Sequence, residues 1–159
     1  MYADALLQLM ERYFEDLNVG DRFQSATCEV TEAAILAFGR EFDPQLFHIN
    51  PATANQTLFK GLIASGWHTA AVSMRLFVDA MEIPGGIIGL GVDELRWPVP
   101  VRPGDQLKVE TEIIDVRLSR SNPNNGIIRL RNITTNQRGE IVQSMLAAAL
   151  VPKRTIGSP

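Results

Sequence analysis

The stretch from 66 to 81, GWHTAAVSMRLFVDAM, constrains the fold more than any other. Its spacing is helical, and Trp67, Ala70, Ala71, Val72, Met74, Leu76, Phe77 and Val78 cover most of its circumference. A helix apolar on nearly every side is expected to be buried on nearly every side. Something long must therefore wrap it. Four β-rich runs follow, at 86–101, 106–118, 126–135 and 140–151, separated by turn signals at 102–105, 122–126 and 136–139. They predict a meander of long antiparallel strands curved around the helix. This is an α+β arrangement, not the alternating βαβ pattern of a parallel sheet.

Ahead of the helix, residues 4–14 have a short helical pattern, a turn falls at Gly20-Asp21, and 23–30 read as one strand-like run. Thr31 is placed to cap a helix that ends near Gly39, with Glu32 in its first turn. After Pro152 the tail is polar and is expected to be loose, so residues 1–152 form one domain and 153–159 its tail. A chain of 159 residues, 45% apolar and 21% charged, supports a single core.

Charges interrupt each long apolar run before it reaches the roughly 18 to 20 residues of a membrane span. The start, MYADALLQLMERYF, has acids in its apolar pattern and no signal-peptide architecture, which predicts a cytoplasmic protein with no membrane partner. A net charge of -3 without a cationic stripe argues against nucleic acid. The lone cysteine, Cys28, and two histidines provide no cluster for a metal. The glycine-rich run at 85–95 has Glu94 in place of the third glycine of a dinucleotide fingerprint and leads into a strand, so it is no nucleotide site.

Both histidines lie in EFDPQLFHINPATANQTLFKGLIASGWHTAA, residues 41–71. Asp43 and His48 would point about 140° apart on a helix and to opposite faces of a strand, so they converge only if the chain turns between them. Pro44 disfavours the α conformation at Asp43 and Asn50-Pro51 repeats the break, which places His48 in a short irregular segment between two helix starts. Two readings stay open for the pair: proton transfer, or a capping Asp beside a buried core His. Gly61 and Gly66 likewise either admit a ligand to the free N–H groups of a helix start or merely permit tight packing. A carboxylate, an imidazole and a helix-start N–H within one segment suit proton transfer beside a polarised carbonyl. His68 reads as a core or interface residue, and the scattered Lys60, Arg96, Arg102, Arg129 and Arg131 define no phosphate site.

FDPQLFHIN together with GLIASGWHTAA resembles the MaoC-like dehydratase family, whose motif is an Asp, four residues, a His, and later a glycine at the start of a long central helix. VDELRWPVPVRPGDQLKVETEI resembles that family's strand, Pro-Gly-Asp turn and following strand. The resemblance spans about residues 15 to 152. It implies a hot-dog fold, in which a long central helix is wrapped by a curved antiparallel sheet. It further implies hydration of a trans-2-enoyl-CoA thioester or the reverse dehydration, with coenzyme A entering as part of the substrate and no other cofactor. Asp43 and His48 would then activate one water and the Gly66 N–H would stabilise the enolate. Phe47, Asn50, Ser65 and Trp67 are the expected substrate contacts, and a homodimer or an assembly of dimers the expected state. The chain departs from the family pattern at Phe42, Gln45, Asn50 and Ser65, where Gly, Asn, Asp and His are usual, and has Met74 beside Ser73 where a helix hydroxyl often approaches the site. A thioesterase, or a module that binds acyl thioesters without reacting with them, are the alternatives that this fold also supports.

Overall fold

A computed structural model describes residues 11–154. After a single 3₁₀ turn at Phe14–Asp16 the elements run β1 (Arg22–Gln24), β2 (Cys28–Val30), α1 (Glu32–Phe42), α2 (Leu46–Ile49), α3 (Pro51–Ala54), α4 (Gly66–Met81), β3 (Ile88–Arg96), β4 (Asp105–Leu118), β5 (Asn125–Thr135) and β6 (Ile141–Pro152). The α+β arrangement expected from the sequence is the one observed: six antiparallel strands and one long helix.

The sheet order is β1-β4-β5-β6-β3, with β2 paired to a further stretch of β4. The expected strand at 23–30 is broken in two. At the break the Ser25 N–H donates to the Val109 carbonyl and its hydroxyl accepts from the Val109 N–H, each at 2.9 Å, so one residue replaces a regular ladder. β4, β5 and β6 form the expected meander, but β3 lies beyond β6 instead of beside β4. Residues 97–104 therefore cross the width of the sheet, and the Ala64 N–H donates to the Val101 carbonyl at 2.8 Å where they pass the start of α4.

The strands alternate inward and outward positions, and Leu107, Val109, Ile113, Ile128, Val142 and Val151 point into the core with almost no exposure. α4 closes that core with Leu76, Phe77 and Met81. Fully burying one such side chain contributes about 1.5–3 kcal/mol.

The expectation that α4 is buried all round is not met. Its inward stripe includes His68, Thr69 and Ser73, while Trp67 (63% exposed), Met74 (48%) and Val78 (46%) face outward. The inward hydroxyl of Ser73 is satisfied by Thr134 Oγ1 at 2.8 Å. β3 is also exposed along nearly its whole length, Ile88, Leu90 and Val92 included.

Smaller differences have local causes. α1 runs three residues past Gly39 to Phe42, because Gly39 is buried under a neighbouring turn instead of ending the helix. The expected N-terminal helix lies mostly outside the described residues. Within them Arg12 reaches the last turn of α4, donating to the Ala80 and Met81 carbonyls at 3.3 and 3.1 Å. Lys153 and Arg154, expected in the loose tail, are held: the Lys153 N–H donates to the Asn124 carbonyl and Arg154 pairs with Asp16 at 2.6 Å. Residues 155–159 lie outside the described residues. No described helix is long and apolar enough to cross a membrane.

Candidate active site

α1 closes with the Asp43 N–H donating to the Gly39 carbonyl, and Pro44 prevents the helix from continuing. The chain restarts at once. Gln45 is the N-cap of the one-turn helix α2, so His48 sits in regular structure, not in the irregular segment expected. The break between α1 and α2 supplies the turn that the Asp43–His48 spacing requires. His48 Nε2 lies 3.3 Å from Asp43 Oδ2.

His48 is 4% exposed, and its Nδ1 is 2.8 Å from the Ile63 carbonyl oxygen. A carbonyl only accepts, so Nδ1 carries a proton, and in the neutral ring Nε2 presents its lone pair to the Asp43 carboxylate. Two acceptors facing one another are reconciled by a shared proton source. A water placed there can give one proton to each, which is how such a pair orients a nucleophile.

Asp43 itself is not a helix N-cap. Its Oδ2 accepts from Ser65 Oγ at 2.7 Å and its Oδ1 from Gln45 Nε2 at 2.8 Å. Both donors stand where the chain departs from the family pattern, so the altered residues still support the carboxylate. Partial burial pulls the Asp43 pKa up, but the Ser65 and Gln45 hydrogen bonds, joined by the positive charge of His48 when that ring is protonated, outweigh it and hold the group below its ordinary carboxylate value. Ser65 also caps α4, its hydroxyl accepting from the Trp67 N–H at 3.2 Å.

Ser65→Ala is therefore expected to act twice. Loss of the cap costs about 0.5–2 kcal/mol. Loss of the hydrogen bond lets the Asp43 pKa rise. A depressed carboxylate pKa contributes stability that is present above the unfolded value and lost as pH falls through the folded one. The variant should lose its activity and this part of its stability at a higher pH than the wild type as acid is added. Rate–pH profiles and thermal melts in acid measure both; coincident acid limbs would remove Ser65 from the site.

Gly66 is the first residue of α4, and its N–H has no hydrogen-bond partner among the described residues. Gly66 and His48 border one cavity of about 290 Å³, walled by Phe47, Phe59, Trp97 and Val142 among others. Phe47 meets the His48 ring edge to face at 4.5 Å. A side chain on Gly66 would strike the Trp97 ring, 2.7 Å from the position its Cβ would take. Tight packing thus explains the missing side chain, while the N–H stays free for a ligand. Gly61, with a φ of +152°, is likewise packed beneath Arg102.

Asp43 opens on a second recess of about 350 Å³, formed with Phe38, Phe42 and Trp67. Asp43 thus lines one recess and His48 the other. Asn50, expected as a substrate contact, caps α3, its side-chain oxygen accepting from the Thr53 N–H at 3.1 Å. His68, 8% exposed, stacks on Phe38 at 4.9 Å, and burial lowers its pKa. Sequence reasoning missed Gly39, the Ile63 carbonyl and the role of Gln45. A glycine inside a helical pattern was the available signal for the first.

Residues 17–136 match the family described as MaoC like domain. The chain is 50% identical to a MaoC-like dehydratase from Rhodospirillum rubrum, a crystal structure that superimposes with a TM-score of 0.86 and covers 91% of this chain and 99% of that one. An unliganded R-hydratase, PhaJ1 from Pseudomonas aeruginosa, is 29% identical, with a TM-score of 0.74 over 89% of this chain and 86% of that one. Mesaconyl-CoA hydratase from Cereibacter sphaeroides is 37% identical over 73 residues, 46% of this chain but 21% of the relative. A helix wrapped by an antiparallel sheet, a carboxylate and an imidazole at the helix start, and these matches define the class: the chain belongs to the MaoC-like family. Its fold is the hot-dog fold.

Proposed function

We propose that the chain is a hydratase or dehydratase of acyl thioesters, adding water to a trans-2-enoyl-CoA or removing it from a 3-hydroxyacyl-CoA. The observation that carries this reading is the Ile63 carbonyl holding the Nδ1 proton of His48, which turns Nε2 toward an ionised Asp43 beside a free helix-start N–H. In the hydration direction the pair holds one water by its protons. The water oxygen bonds to the β-carbon and keeps one proton as the new hydroxyl; its other proton passes to the pair, which hands it on to the α-carbon on the same face. Negative charge develops on the thioester oxygen meanwhile, and the Gly66 N–H with the α4 dipole stabilises it. Coenzyme A enters and leaves as part of the substrate. The relatives' names, MaoC-like dehydratase, R-hydratase and mesaconyl-CoA hydratase, support the reaction class. Following an enoyl-CoA at the absorbance of its conjugated double bond tests the reading. Loss of conjugation without free thiol supports it, free thiol makes the protein a thioesterase, and neither leaves a binding module. A cytoplasmic setting suits a CoA substrate and the free Cys28.

The working unit of this reading is a homodimer. Trp67, Met74 and Val78 on α4 and Ile88, Leu90 and Val92 on β3 are apolar and exposed, and an apolar groove of about 280 Å³ runs between the two elements. A second protomer laid against β3 would pair its unmatched edge and cover the outward side of α4. Sedimentation is expected to show a dimer or larger at micromolar concentration. Val92→Lys, a charge in the middle of that edge, should shift it to monomer; a wild-type monomer refutes the dimer.

A further inference from the structure

We propose that Trp97 sets the size of the acyl group that this site accepts, an inference that rests on the enoyl-thioester reading above. The indole, 39% exposed, lines the cavity beside the helix start, between the site and solvent. Its ring lies against the bare Cα of Gly66, close enough that even a methyl group there would collide with it at 2.7 Å. It meets Trp67 edge to face, with centroids 5.4 Å apart and an interplanar angle of 73°. Its Nε1–H donates to Gln143 Oε1 at 2.9 Å, and Gln143 is 1% exposed on β6. Three sides of the indole are thus fixed: by the helix backbone, by a second indole and by a buried amide. A wall held in this way cannot swing aside without leaving Gln143 unpaired in the core.

The chemistry of the cavity says which part of a substrate meets this wall. Its polar lining, His48, Gly66 and Thr69, comes from the helix start and the turn packed beside it, and apolar residues such as Phe47, Phe59, Val99 and Val142 make up most of the rest. A ligand with a carbonyl at one end and an apolar tail matches that division. With the carbonyl at Gly66, the tail extends over surfaces bounded by Trp97. The wild-type cavity accordingly suits a short acyl group. Trp97 belongs to the segment that crosses the sheet from β3 to β4, so the backbone crossing itself delivers the wall to the helix start.

The test measures binding by calorimetry for saturated acyl-CoAs from butyryl to dodecanoyl, which cannot be hydrated, and hydration of crotonyl-CoA and octenoyl-CoA. The variants are Trp97→Ala, Trp97→Phe and Gln143→Leu, with folding checked by circular dichroism and melting. Wild-type protein is expected to bind short chains best. Trp97→Ala should move the preference to longer chains, changing the octanoyl-to-butyryl ratio by roughly tenfold or more. Trp97→Phe and Gln143→Leu should move it the same way by less, because one shortens the wall and the other unpins it. If Trp97→Ala does not fold, these two decide. A folded set of variants with the wild-type chain-length profile overturns the inference but leaves the hydratase reading intact. Wild-type protein that binds no acyl-CoA overturns both.

Discussion

Replacing His48 by alanine or Asp43 by asparagine is expected to lower hydration turnover by about a hundredfold to ten-thousandfold each. The two side chains face one another at 3.3 Å and share one task, so the double variant should be little slower than either single one. Their effects on stability should differ. His48→Ala leaves the Ile63 carbonyl without its partner in a buried place, at a cost of about 1–3 kcal/mol. Asparagine at 43 retains an oxygen for Ser65 or Gln45 and should melt close to the wild type. Progress curves on an enoyl-CoA together with thermal melts separate the two effects. Near-native turnover in either folded single variant would end the assignment of the pair to proton transfer.

Gly39→Ala is expected to destabilise the protein by about 1–3 kcal/mol and to lower turnover on the order of a hundredfold, although residue 39 touches no substrate. A Cβ at this position would lie 2.7 Å from the His48 carbonyl oxygen and 3.1 Å from both His48 Cβ and Ile49 Cγ2. A backbone oxygen cannot rotate out of the way as a flexible side chain can. α2 would have to lift off α1, taking the imidazole with it. Opposing this, alanine favours a helix interior over glycine by about 0.5–1 kcal/mol. The sign of the change in melting temperature therefore decides between the effects. A variant that melts higher with unchanged kcat would show that Gly39 is merely tolerated in α1. A fall confined to KM would place the damage in binding, not in the position of His48.

Much of the fold is legible along the chain because its signals are local. The bounds of α4 follow from helical spacing between Gly66 and Met81, and the four long strands follow from β-rich runs between turn signals. The capping by Thr31 and Asn50 follows from residues whose side chains can accept a backbone N–H two or three places on. The pairing of Asp43 with His48 was legible as a requirement: their spacing excludes both regular structures, and Pro44 supplies the break.

What the sequence could not supply is every feature that depends on partners far apart in the chain. Apolar spacing around α4 says that its surface is to be covered, but not by what. Only the folded chain shows one side covered, with Ser73 against Thr134 of the sheet and His68 against Phe38 of α1, and Trp67, Met74 and Val78 left outward. The strand meander indicates neighbours but not that β3 lies beyond β6, and from that crossing comes the Trp97 wall. A glycine at 66 reads equally as room for a ligand or room for packing, and the Trp97 ring against its Cα accounts for the missing side chain while leaving the N–H free. The proton on His48 Nδ1 was invisible in the same sense, because its acceptor is a main-chain oxygen fifteen residues away that any residue type could provide. Local periodicity and caps are written in side chains. Register, crossings and backbone acceptors arise only when the chain closes on itself.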